Sequence, residues 1–137
     1  MGKYGKRAVE LHDQKYNCAQ SVIIAFKDEL GIDQDTLAHL FANFGGGFGY
    51  AGEVCGAASG MACVSGFLGD WKVQTDQDTK VKSYDTIKGL IEKFREENKG
   101  NSRCDELRAL GKAGGRSCAE LIAECADMVA KEMGLDD

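Results

Sequence analysis

Proline is absent from all 137 residues, which removes the commonest interruption of long helices. No run reaches the roughly 20 apolar residues needed to cross a bilayer. The most apolar stretch, Val54 to Leu68, is shorter and is flanked by Glu53 and Asp70, so it reads as a buried helix and no membrane insertion is expected. Positive charge is also scarce. Against 22 Asp and Glu stand 17 Lys and Arg, a net charge of −5, and the lysines of 80–99 alternate with acids instead of forming a stripe. Such a chain repels nucleic acid phosphates, so no DNA or RNA partner is expected. The opening MGKYGKRAVELHDQKYN has no apolar export core, and Lys6 breaks the myristoylation pattern, so a cytoplasmic location is expected.

Short catalytic signatures are missing too. There is no C-x-x-C, no G-x-S-x-G and no Walker loop, which leaves thioredoxin, hydrolase and nucleotide-triphosphatase readings without support. The two histidines, His12 and His39, have no HExxH partner and read as ordinary surface or core residues. Gly47, Gly49 and Gly52 spell G-x-G-x-x-G, but the preceding DTLAHLFANF has helical spacing, and a dinucleotide site needs a strand there.

What is present is helical periodicity. Ala, Leu, Glu and Lys are plentiful, and apolar residues recur every three or four positions. The length suits one domain over 1–137. The expected fold is all-α, a single-domain compact bundle of six or seven helices. The spacing predicts helices over 4–15, over 18–30 with Asn17 as cap and Gly31 as stop, and over Gln34 to Phe44 after Asp33. A glycine-rich turn, 45–52, leads to a helix over 53–68 that ends at Gly69, and a polar loop over 70–78 follows. A long helix over 79–98 carries Val81, Tyr84, Ile87, Ile91 and Phe94 on one face. A short helix follows a Ser102–Asp105 capping pair, and a last one follows Ser117–Glu120 and stops before Gly134. Gly52, Gly56 and Gly60, four residues apart, would let a neighbouring backbone pack closely.

Six cysteines in a chain with no export signal point away from a disulfide scaffold and toward redox or metal chemistry. Cys18, Cys55, Cys104 and Cys118 all fall in predicted first turns, where unpaired N–H groups and the positive end of the helix dipole favour thiolates or anionic clusters. Cysteine is also a small apolar residue that is often simply buried. That does not explain why first turns are chosen four times. The expectation is that helix packing gathers these four sulfurs. Arg103 and Arg116 add positive field, opposed by Asp105, Glu106 and Glu120, while Cys63 and Cys125 lie deeper in their helices and read as core.

Asn17-Cys18-Ala19-Gln20, the C-G-A-x-x-G stretch Cys55 to Gly60, Arg103-Cys104 and Ser117-Cys118 follow one another in an order that resembles the C_GCAxxG_C_C family of redox-active proteins. The likeness covers nearly the whole chain. It implies redox activity, with Cys18, Cys55, Cys104 and Cys118 as the motif cysteines. Two chemistries then compete. One is thiol–disulfide exchange or electron transfer by an oxidoreductase, with Cys18–Cys55 and Cys104–Cys118 as the guessed pairs and an unidentified redox partner. The other is ligation of an iron–sulfur cluster or zinc by the same four residues. A third reading is an inert helical scaffold that forms a homo-oligomer through the 79–98 helix.

Overall fold

Helix starts in this protein are set by side chains that reach back to the backbone. Asn17 accepts from the Gln20 amide while the Gln20 side chain accepts from the Asn17 amide, and Ser117 and Glu120 repeat the arrangement. Asp33 and Asp76 cap two further helices through Thr36 and Thr79. A computed structural model describes residues 1–69 and 75–135. Over these the chain is all-α, with α1 Lys3–Asp13, α2 Cys18–Ile24, α3 Lys27–Leu30, α4 Gln34–Leu40, α5 Gly45–Phe48, α6 Gly56–Leu68, α7 Gln77–Glu97, α8 Cys104–Lys112 and α9 Cys118–Glu132. Residues 70–74 of the expected polar loop lie outside the described residues, and from Gln77 onward that segment is already helix.

One core holds these elements together. The helices α2, α6 and α9 pack on one another, and α1 lies along α9. Ile23, Phe26, Met61, Phe94, Ile122, Cys125 and Val129 are fully buried between them. Burial on this scale is the main stabilising term, since each such side chain contributes about 1.5–3 kcal/mol when removed from water. The Asp127 carboxylate accepts from the Gly2 and Gly5 amides, which places a negative charge at the start of α1 and ties it to α9.

Three sequence-based expectations change, and a fourth, the glycine-rich turn, is refined. The helix expected over 18–30 breaks at Ala25–Phe26, where the chain turns Phe26 into the core to stack on Tyr4 at 4.5 Å. Ser102 does not cap α8. Its carbonyl accepts from the Cys55 amide, and Arg103 takes the cap position without a side-chain cap bond. Val81 and Tyr84 are exposed, because burial along α7 is confined to its second half, at Leu90 and Phe94. The glycine-rich segment is a left-handed turn: Gly46, Gly47, Phe48, Gly49 and Tyr50 all have φ between 66° and 69°.

Candidate functional site

Each of the four motif cysteines is placed by a different local device. Asn17 holds the start of α2, and its Nδ2 also donates to the Phe41 and Ala42 carbonyls, at 3.3 and 3.1 Å, locking that start against the end of α4. Cys18 is the first residue of the helix so held. Cys55 and Cys104 are brought side by side by an antiparallel pairing of 52–55 with 102–105. There the Cys55 amide donates to Ser102, the Cys104 amide to Glu53 and the Asp105 amide to Gly52. Cys55 is itself the cap of α6, and Cys104 is the first residue of α8. Cys118 opens α9 immediately after the Ser117 cap.

The left-handed turn fits into this frame. Its carbonyls are tied down from the following segment, Gly46 accepting from the Gly52 amide at 3.3 Å and Gly47 from the Glu53 amide at 3.1 Å. Gly47 leaves no room for a side chain, since a Cβ there would lie 2.6 Å from the Glu53 nitrogen and 2.7 Å from the Cys104 Cβ. Phe48 and Tyr50 adopt the same hand without being glycine, which is unfavourable by about 1–2 kcal/mol each. Strain of this kind persists only where surrounding contacts over-determine it.

Cys18, Cys55, Cys104 and Cys118 line one cavity of about 400 Å³, together with Gly46, Ala57, Leu107, Leu121, Arg108, Lys112 and Arg116. All six cysteines of the chain are free thiols. Their burial is graded: Cys118 is exposed, Cys104 and Cys18 are half-buried, and Cys55 is buried. Neighbouring thiols also feel one another's charge in that order. Cys104 is influenced by Cys18 and Cys118, and Cys55 by Cys18 and then Cys104. Beneath them lies Cys125, fully buried and influenced by Cys55 and Cys18. Cys63 has no such neighbour; burial alone raises its pKa.

Burial pushes the Cys55 thiol from an ordinary 9.0 up to about 12, partly countered by the Ala58 and Ala57 amides and reinforced by Cys18 and Cys104. It is therefore a neutral thiol at physiological pH. Burial also raises the Cys104 pKa, and the Arg108 guanidinium pulls it back down against Cys18, Cys118 and Asp105. The Cys55 shift has a consequence for stability. Below pH 9 the folded and unfolded chains both hold the proton. Above it only the unfolded chain releases it, so stability is lost as the pH rises from about 9 toward 12. At pH 10 the loss from this group is about 1.4 kcal/mol. In thermal melts at pH 8 and pH 10, Cys55→Ala is expected to lose less stability between the two pH values than the parent does.

Sequence reasoning missed two cations and one thiol. Arg108 and Lys112 lie four and eight residues after Cys104, a spacing that puts all three on one face of α8. Arg103, one of the two arginines expected to supply positive field, is held outside the cavity by Glu53 and Asp105 at 3.0 and 3.2 Å. Arg116 does line the cavity, but Glu97 and Glu124 pair with it at 3.0 and 3.1 Å. Cys125, read as core packing, is core and also adjoins the cluster. His12 contacts the Tyr16 carbonyl and His39 sits exposed beside Asp35, so neither reaches the cavity. Among the described residues no group of three or more His, Cys, Asp or Glu side chains is disposed to hold a metal ion. Among the same residues no helix is long and apolar enough to cross a membrane.

The fold and site define an all-helical protein built around a cavity walled by cysteines at helix starts. The chain belongs to the C_GCAxxG_C_C family, described as putative redox-active proteins, whose pattern matches residues 16–132. It is 25% identical to an uncharacterized protein of Archaeoglobus fulgidus, over 96% of this chain and 93% of the relative. No solved structure matches it.

Proposed function

We propose that this protein is a cytoplasmic thiol–disulfide redox protein of one domain, in which Cys118 attacks a disulfide, Cys104 resolves it, and Cys18 with Cys55 forms a second pair deeper in the cavity. The observation that carries this reading is the graded burial of four free thiols along one cavity wall. An incoming disulfide meets the exposed thiol first. The Cys118 thiolate attacks one substrate sulfur, forms a mixed disulfide and releases the other half as a thiolate. The Cys104 thiolate then attacks the Cys118 sulfur, forms the internal disulfide and releases the second half. Two electrons pass from the dithiol to the substrate, and a redox partner must later return them.

Arg108 supports the second step by favouring the Cys104 thiolate. Cys55, protonated at neutral pH, is poorly suited to attack first and is placed to receive oxidation from Cys18. The test is intact mass and thiol titration of anaerobically purified protein before and after mild oxidation. The expected result is loss of about 2 Da per pair, with Cys104–Cys118 the first disulfide found by peptide mapping. An unchanged thiol count would overturn the reading. Stoichiometric iron with sulfide, or zinc, in the untreated protein would replace it with cluster or metal ligation.

A further inference from the structure

Among the described residues, every charged side chain lining the thiol cavity is cationic, on a chain whose net charge is −5. These are Arg108, Lys112 and Arg116, and no Asp or Glu among the described residues joins them. Arg116 is neutralised by Glu97 and Glu124. The other two are not. Lys112 has no ion-pair partner among the described residues, and Arg108 has no carboxylate partner there; its guanidinium lies over the Tyr50 ring at 5.4 Å. Exposed lysines and arginines usually serve only to keep a surface solvated. Here the nearby acids, Glu53, Asp105 and Glu106, are turned to Arg103 outside the cavity, so two uncompensated positive charges remain beside the thiols.

We propose that the cavity selects small disulfides bearing negative charge, with Lys112 and Arg108 meeting the anionic groups while a substrate sulfur reaches Cys118. The volume of about 400 Å³ suits a small molecule. Leu107, Leu121 and Ala57 form an apolar part of the wall, while Arg108 and Lys112 stay exposed, so their attraction for an anion is sensitive to salt. This rests on the thiol–disulfide reading above. The reaction is two protein thiols plus one disulfide giving one protein disulfide and two small thiols, each now carrying its negative group away from the site.

The test compares three probes with the reduced, anaerobic full-length chain: dithiodiglycolate, which carries two carboxylates, neutral 2-hydroxyethyl disulfide, and dicationic cystamine. Each rate constant is divided by that of the same disulfide with 2-mercaptoethanol, which removes intrinsic reactivity. The expected order is anion, neutral, cation, spanning about tenfold or more at low salt and contracting near 0.5 M salt. Lys112→Gln and Arg108→Gln are each expected to narrow the ratio of anion to cation. Ratios within about twofold of one another, a preference for cystamine, or an anion preference untouched by both substitutions would overturn charge selection while leaving thiol–disulfide exchange in place. Failure of all three probes to produce a protein disulfide would overturn the thiol reading itself.

Discussion

Cys104→Ser protein treated with an anionic disulfide is expected to stop at a mixed disulfide on Cys118, visible as a stable mass increase of one substrate half. In the parent the resolving thiol lies in the same cavity, so the second step is intramolecular. Effective molarities for well-placed neighbours reach about 10⁵ M and above, far beyond any external thiol. Removing Cys104 should lengthen the life of the mixed disulfide by at least about a hundredfold even if Cys18, the next thiol inward, resolves it slowly. Cys118→Ser should behave differently and slow the first step, with no adduct accumulating. Stopped reactions followed by intact mass distinguish the two. A Cys104→Ser protein that still forms an internal disulfide at the parent rate would reverse the assigned roles.

Gly56→Ala is expected to destabilise the protein by about 3 kcal/mol, while Gly66→Ala, in the same helix, is expected to stabilise it by about 0.5–1 kcal/mol. A Cβ on Gly56 would collide with the Cys18 sulfur and would lie 3.1 Å from the Phe44 carbonyl oxygen and 3.2 Å from the Ala19 nitrogen. Two of those three obstacles are backbone, held by the Asn17 capping box and the end of α4, and cannot swing aside. Gly60 meets α2 in the same way, at Val22 and the Ala19 carbonyl, so α2 and α6 touch along a glycine-lined seam. Gly66 has open space around it, and alanine there only restricts the unfolded chain. Urea unfolding midpoints of the two variants measure the contrast. Equal behaviour would mean that α2 and α6 do not approach as closely as described. Because Cys18 is one of the obstacles, Gly56→Ala should also alter thiol reactivity, which links the close packing to the chemistry.

The glycine spacing was legible in the sequence as a close-approach seam, although Gly52 lies before α6 and belongs to the left-handed turn. A side-chain cap acts over three residues, and a glycine at a helix end acts on its own φ, so Asn17–Gln20, Ser117–Glu120, Asp33 and Gly31 could be read directly from the chain. With those starts came the placement of Cys18 and Cys118 as first helical residues, while Cys104 and Cys55, expected within first turns, became the first residue of α8 and the cap of α6 only once the chain had packed.

The order of the thiols from surface to core depended on contacts that local reasoning does not reach. Cys55 meets Cys104 through the pairing of 52–55 with 102–105, which also draws the Ser102 carbonyl into a bond with Cys55 and leaves α8 without the expected cap. The identity of the free cations was likewise decided at a distance. Arg103 and Arg116 look equivalent to Arg108 and Lys112 until Glu53, 50 residues away, and Glu97, 19 residues away, claim them. The sequence by itself therefore determined the all-helical class, the capped starts of α2, α4 and α9 and the position of four cysteines near helix starts, since each rests on interactions within one turn. Only the tertiary structure decided how deep each sulfur lies and which positive charges face it, because burial and ion pairing arise between segments that meet only after the chain has packed.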